Sequence, residues 1–179
     1  MVQTMNFTEI IESFRQKINV SSGRHLYGVL GGYARLDAFA KTLCQAKTLD
    51  GVPFPNPTSV NAGILRSIPD ADFRRLAEDE AKYPEPTAAH VRRAFEVFLR
   101  ATLLENKLVV FSDLEMLFAY NVEMSPLRTL AADDKKVLLL LPGKRSGGRI
   151  VMFHESEEGG YTLPTNLIAD NHLWEIRSR

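Results

Sequence analysis

The sequence predicts an α/β fold, a small three-layer sandwich with a mostly parallel sheet between helices. Three observations carry that expectation. Apolar runs at residues 25–30 (HLYGVL), 108–112 (LVVFS) and 137–141 (VLLLL) are continuous, as strands covered on both faces are. Segments with helical apolar spacing separate them. The first run passes through Gly31 and Gly32 into a helix, the opening half of a βαβ unit.

Taken in order, the chain begins with a helix over 6–18. Asn6 or Thr8 can cap it, and Phe7, Ile10, Ile11, Phe14 and Ile18 share one face. Ser21, Ser22 and Gly23 break that pattern ahead of the first strand. Past the glycines, Leu36, Phe39, Ala40 and Leu43 recur as a helix face. LDGVPFPNPTS, with prolines at 53, 55 and 57, predicts a loop. Two helices are predicted next. One starts at Asp70, as a cap after Pro69, and runs to Tyr83, where Pro84 and Pro86 stop it. The other starts at Thr87 as its cap and continues to about Leu104, with Val91, Ala94, Phe95, Phe98 and Leu99 as its apolar stripe. Short helical pieces follow the second strand, and Ser125–Pro126 reads as a cap and first position. PGKRSGG predicts a turn between the third strand and RIVMFHE, so 136–179 holds a β-hairpin and a tail. The tail carries the one tryptophan, Trp174, and has only a weak strand or helix signal. No internal repeat interrupts the chain, and 1–179 reads as a single domain.

Composition excludes several classes. The 22 Lys+Arg balance 22 Asp+Glu, which removes the composition-level argument for nucleic acid and leaves only a local patch. At 45% hydrophobic and 25% charged residues the chain is globular rather than disordered. Cys44 is the sole cysteine, so one chain builds neither a disulfide framework nor a thiolate zinc cluster. No apolar run approaches the roughly 20 residues that span a bilayer. The start, MVQTMNFTEI, lacks the basic and apolar regions of a signal peptide, and a cytoplasmic location is expected.

The strand–glycine–helix segment invites comparison with the phosphate-binding motif G-x-x-x-x-G-K-[ST], in which backbone N–H groups cradle phosphates, the Lys neutralises charge and the hydroxyl holds Mg²⁺. Here the helix after Gly31 and Gly32 places Leu36 and Asp37 where Lys and Ser/Thr belong. Arg35 or Lys41 are the candidate substitutes for the missing charge. The bland alternative is that the two glycines simply permit a tight turn. A strand ending in an acid would be the second part of such a site. LVVFSDLE supplies Asp113 and Glu115, although Ser112 occupies the first polar position, and Asp113 reads equally well as a helix N-cap. Lys144, Arg145 and Arg149 around the predicted hairpin turn form the best basic cluster and the candidate contact for DNA phosphates. Arg92, Arg93 and Arg100 have acidic neighbours and read as a solvated face. The four histidines are scattered without metal spacing, and Cys44 lies in an apolar-patterned helix, where it reads as a small buried hydrophobe. No metal site and no catalytic residue is expected.

The order of HLYGVLGGY, VNAGILRSIP, LVVFSDLEMLF, SPLRTL, VLLLLPG and RIVMFHE resembles BrxF, the small P-loop component of type-3 BREX bacteriophage-defence systems. The resemblance runs from about His25 to Glu155. Its most specific part lies between Leu108 and Leu130, where residues 114–118 (LEMLF) and 126–130 (PLRTL) match the family pattern. The strand-end acid is displaced to Asp113, and the Walker A Lys and Thr are unmatched. The resemblance implies a P-loop-NTPase-like sandwich and a place in a defence system beside a larger ATPase, a methyltransferase or a PglZ-type protein. It does not carry over nucleotide hydrolysis.

Three expectations follow. The leading one is a non-catalytic P-loop-like accessory subunit without a cofactor, acting through larger partners by an exposed helix face or the hairpin edge. The second is a nucleotide-binding protein, taking ATP with Mg²⁺ through a non-standard loop built on Gly31, Gly32, Arg35, Lys41, Asp113 and Glu115. The third is a DNA-binding accessory using Lys144, Arg145 and Arg149.

Overall fold

In the computed structural model, which describes residues 3–155 and 160–177, the three apolar runs lie side by side at the centre of one sheet. They are β2 (Leu26–Gly31), β4 (Leu108–Ser112) and β5 (Lys136–Ser146). Shorter strands complete the set: β1 (Gln3–Met5), β3 (Thr58–Ser59), β6 (Arg149–Met152), β7 (Tyr161–Thr162) and β8 (Leu173–Ile176). The helices are α1 (Phe7–Ile18), α2 (Tyr33–Gln45), α3 (Val60–Ser67), α4 (Asp70–Asp79), α5 (Pro84–Glu105), α6 (Glu115–Ala119) and α7 (Ser125–Leu130).

The strand order is β1-β8-β2-β5-β4-β3, and every neighbouring pair on that path is parallel. β2 and β5 pair from Leu26↔Val137 through Gly31↔Pro142. Past Pro142, β5 leaves the sheet's path and forms the antiparallel hairpin with β6, Gly143↔Met152 through Ser146↔Arg149. The expected C-terminal hairpin is therefore present, and β7 adds to its outer edge.

Alternation along the strands splits the core into two layers. On one face Tyr27, Val29, Val110, Leu138, Leu140 and Trp174 pack under α1 and α2. On the other, Leu30, Val109, Phe111, Leu139 and Leu141 pack under α3, α5, α6, α7 and the chain following the hairpin. That last segment packs closely over Gly28. A Cβ there would lie 2.8–2.9 Å from side-chain carbons of Ile168, Leu173 and Leu141. Trp174 is 1% exposed, stacks on Tyr27 and meets Phe14 edge-on, so the tail is part of the core.

Several local expectations need correction. Asn6 caps α1 as predicted, and it does so in a capping box with Glu9. Asp70 is not a cap: Pro69 takes that position and Asp70 is the first helical residue of α4, which ends at Asp79. Pro84 and Pro86 do not separate two helices. They lie in the first turn of α5, where a missing N–H costs no helical hydrogen bond, so Thr87 is inside the helix and buried. Ser125 is the first residue of α7 rather than its cap, and its hydroxyl bonds Glu123.

Candidate functional site at the carboxyl edge of the sheet

Because β2, β3, β4, β5 and β8 all run the same way, their carboxyl ends meet at one edge, the place where open α/β sheets bind ligands. β2 delivers Gly31 and Gly32 there, β4 delivers Asp113 and Glu115, and the N-terminus of α3 delivers Asn61.

Gly32 is the N-cap residue of α2 at φ −70° and ψ 159°, and the N–H groups of Arg35 and Leu36 both donate to its carbonyl at 3.0 Å. That backbone is open to any residue, so the glycines are not there to permit a left-handed turn. They permit close approach. A Cβ on Gly31 would stand 3.1 Å from Ile176 Cδ1, and one on Gly32 only 2.2 Å from Glu155 Oε1. The Glu155 carboxylate thus lies against the turn that would have to cradle a phosphate. His154 Nε2 lies 3.9 Å from Glu155 Oε1.

Asp113 and Glu115 have different fates. Asp113 adopts φ 52°, and its carbonyl accepts the Asn61 N–H at 3.0 Å. It is not the N-cap of α6: Leu114 holds that place with no side-chain capping bond, while Ser112 Oγ donates to Asp113 Oδ2 at 3.4 Å. Glu115 is held from two sides. Tyr33 donates its phenol to Oε1 and Asn61 donates Nδ2 to Oε2, each at 2.9 Å, and Asn61 Oδ1 accepts the Met116 N–H at 3.0 Å. Burial, the Glu115 hydrogen bond and the negative charges of Glu115, Glu155 and Asp113 hold the Tyr33 phenol well above its ordinary pKa.

The two candidate substitute cations do not reach this turn. Arg35 points toward the chain ends, where Nη2 donates to the Arg177 carbonyl at 2.8 Å and the guanidinium lies 5.4 Å from the centre of the Phe7 ring. Lys41 is exposed and sits nine residues past Gly32, about 13 Å along the axis of α2 at 1.5 Å per residue. Among the described residues, no group of three His, Cys, Asp or Glu side chains is placed to hold a metal ion. The sequence reading missed Tyr33, Asn61 and Glu155. Tyr33 was adjacent to the glycines and readable as the first helical residue. Asn61 and Glu155 reach the site only through the sheet's topology.

The basic candidates lie elsewhere. Lys144, Arg145 and Arg149 are exposed on the β5–β6 hairpin, and Arg145 and Arg149 line a cleft between it and residues 162–173. No described helix is long and apolar enough to cross a membrane.

Fold and site together define an α/β sandwich whose sheet edge gathers a strand–glycine–helix turn and the carboxylates of Asp113, Glu115 and Glu155. No family model matches the chain, and neither a curated protein nor a solved structure shows significant similarity to it.

Proposed function

We propose that this protein is a non-catalytic, P-loop-like accessory subunit, acting in the cytoplasm through assembly with larger proteins of a BREX-type phage-defence system. The observation that carries the non-catalytic part is the carboxylate of Glu155 against Gly32. An anion gains from the N–H groups and dipole at a helix N-terminus, and a phosphate entering here would meet Glu155, with Asp113 and Glu115 alongside. Arg35, the nearer of the two cations that would offset this, is committed to the Arg177 carbonyl. The Tyr33–Glu115–Asn61 chain of hydrogen bonds ties α2, α3 and α6 together across the edge and gives these polar groups a structural task. The defence-system part rests on the sequence resemblance between His25 and Glu155.

Two measurements test the proposal. In the first, Mg-ATP and Mg-GTP are titrated at physiological salt while melting is followed. No concentration-dependent rise in Tm is expected, and a rise that grows with nucleotide would overturn the non-catalytic reading in favour of a working loop. In the second, the protein is co-expressed with the products of its neighbouring genes. A stable complex with a large ATPase, methyltransferase or PglZ-type protein is expected, and a protein that stays uncomplexed with all of them would refute the accessory role.

A further inference from the structure

A cleft of about 890 Å³ opens on the side of β2 away from α1 and α2, between the β5–β6 hairpin and residues 162–173. Four arginines from four stretches of chain line it: Arg24 just ahead of β2, Arg128 on α7, Arg145 on β5 and Arg149 on β6. Among the described residues none of them forms a salt bridge. Arg128 is oriented by donating Nη1 to the Asn166 carbonyl at 3.2 Å, while Arg24, Arg145 and Arg149 are solvent-exposed. Among the described residues of the lining, Asp170 is the one acidic side chain. Set against the zero net charge of the chain, this makes the molecule polarised, with carboxylates at the sheet edge and guanidinium groups in the cleft.

We infer that this cleft holds the sugar–phosphate backbone of a nucleic-acid strand, a role beyond the accessory assembly proposed above. Gathering like charges costs electrostatic energy, and an anion with several phosphates removes that cost. The planar guanidinium fork matches phosphate oxygens bidentately. The spread of four cations over separate elements fits successive phosphates of a strand better than one compact anion. Among the described residues the lining contains no Phe, Tyr or Trp, so a free nucleotide base finds no stacking platform there. Binding is accordingly to backbone, with little dependence on sequence.

Fluorescence anisotropy with a short labelled single strand, and with its duplex, tests this between about 50 and 200 mM salt. Four phosphate contacts predict a log–log salt slope near −3 on the single strand and near −4 on the duplex, at about 0.7 and 0.9 per contact. Whichever form binds more tightly identifies the strand type. The double variant R145E/R149E is expected to lose at least tenfold in affinity and about half the slope, with its melting temperature unchanged because both residues are exposed. R24Q, outside the hairpin, is a second variant expected to reduce the slope by about one. R92E/R93E on α5 serves as the control and should bind as wild type does. Absence of binding to both forms at the lowest salt would overturn the inference. So would wild-type affinity and slope in R145E/R149E, or equal affinity for poly-glutamate, which would assign the cleft to an acidic protein. The Mg-ATP titration reads the glycine turn and is independent of these outcomes.

Discussion

Gly63 sits inside α3 facing α5, and replacing it with alanine is the sharpest test of how the site's framework is packed. A Cβ at Gly63 would lie 2.3, 2.4 and 2.6 Å from Cε2, Cδ2 and Cζ of Phe98. Carbon atoms in contact rest at about 3.5 Å, so the ring has to retreat by roughly 1 Å. It has little room to do so, because Phe98 packs on Phe111 of β4 with ring centroids 5.6 Å apart, and Phe111 is 0% exposed. Overpacking of this kind costs about 1–3 kcal/mol, and a clash with three ring atoms belongs at the upper end. Against it, alanine in a helix interior gains about 1 kcal/mol over glycine. Gly63→Ala should therefore destabilise by about 2 kcal/mol, which lowers Tm by about 4–8 °C for a chain of this size. Urea melts should show a lower midpoint at unchanged slope. Combining it with Phe98→Leu makes room for the methyl, so Gly63→Ala should be neutral or stabilising in that background. A Gly63→Ala protein that melts at or above wild type would show helix propensity alone at work and would refute the packing argument.

Other consequences are equally direct. His25 and His172 are held below the ordinary imidazole pKa first by burial, with Lys136 adding to the effect at His25 and Lys17 at His172. The unfolded chain then binds protons the folded one refuses, so stability is complete above about pH 6.5 and declines as pH falls toward the folded values. Melts at about pH 5 should lie below those at about pH 7.5, and His172→Gln should narrow that gap; an unaltered gap removes His172 from the account. Asn61→Ala strips two hydrogen bonds that join α3 to α6, and Tyr33→Phe strips one at a partly exposed position. Chemical denaturation should give losses of about 1–2 and about 1 kcal/mol respectively, and a reversed order would contradict the geometry. Gly32→Ala meets only the movable end of Glu155 on permissive backbone, so its stability should stay within about 0.5 kcal/mol of wild type, unlike Gly63→Ala. Asp113→Gly relieves a positive φ and should stabilise by up to about 1 kcal/mol; a loss would show that the Asp113 side chain contributes more than its strain costs.

The central strands were readable because burial on both faces leaves an unbroken apolar run, as in residues 137–141, that turn residues cannot imitate. β8 was not, since its four residues include Glu175 and earn their place only by pairing with β1 and β2. α3 hid behind a proline-rich loop and an internal glycine whose purpose, close packing on Phe98, is visible only in three dimensions. The prolines at 84 and 86 misled because the same residue that ends one helix also begins another. At the site, Gly31, Gly32, Asp113 and Glu115 were legible and do converge on one edge. The partners that define their chemistry, Asn61 and Glu155, are brought in by topology, as Arg24 and Arg128 are brought to the basic cleft.

The placement of β8 also governs when this protein can finish folding. Gln3 pairs with Trp174 and Met5 with Ile176, so β1 emerges from the ribosome long before the strand it needs. Until β8 has been made, β2 has an open edge on that side and α1 lies over an incomplete floor. Pairing of strands so far apart in sequence is slow, because the loop it closes is long. The process carries its own reporter: Trp174 is the only tryptophan, and it passes from solvent to a stack on Tyr27 as β8 inserts. Stopped-flow refolding followed by tryptophan emission should therefore show its main amplitude in the slowest phase, after the helical signal has largely recovered.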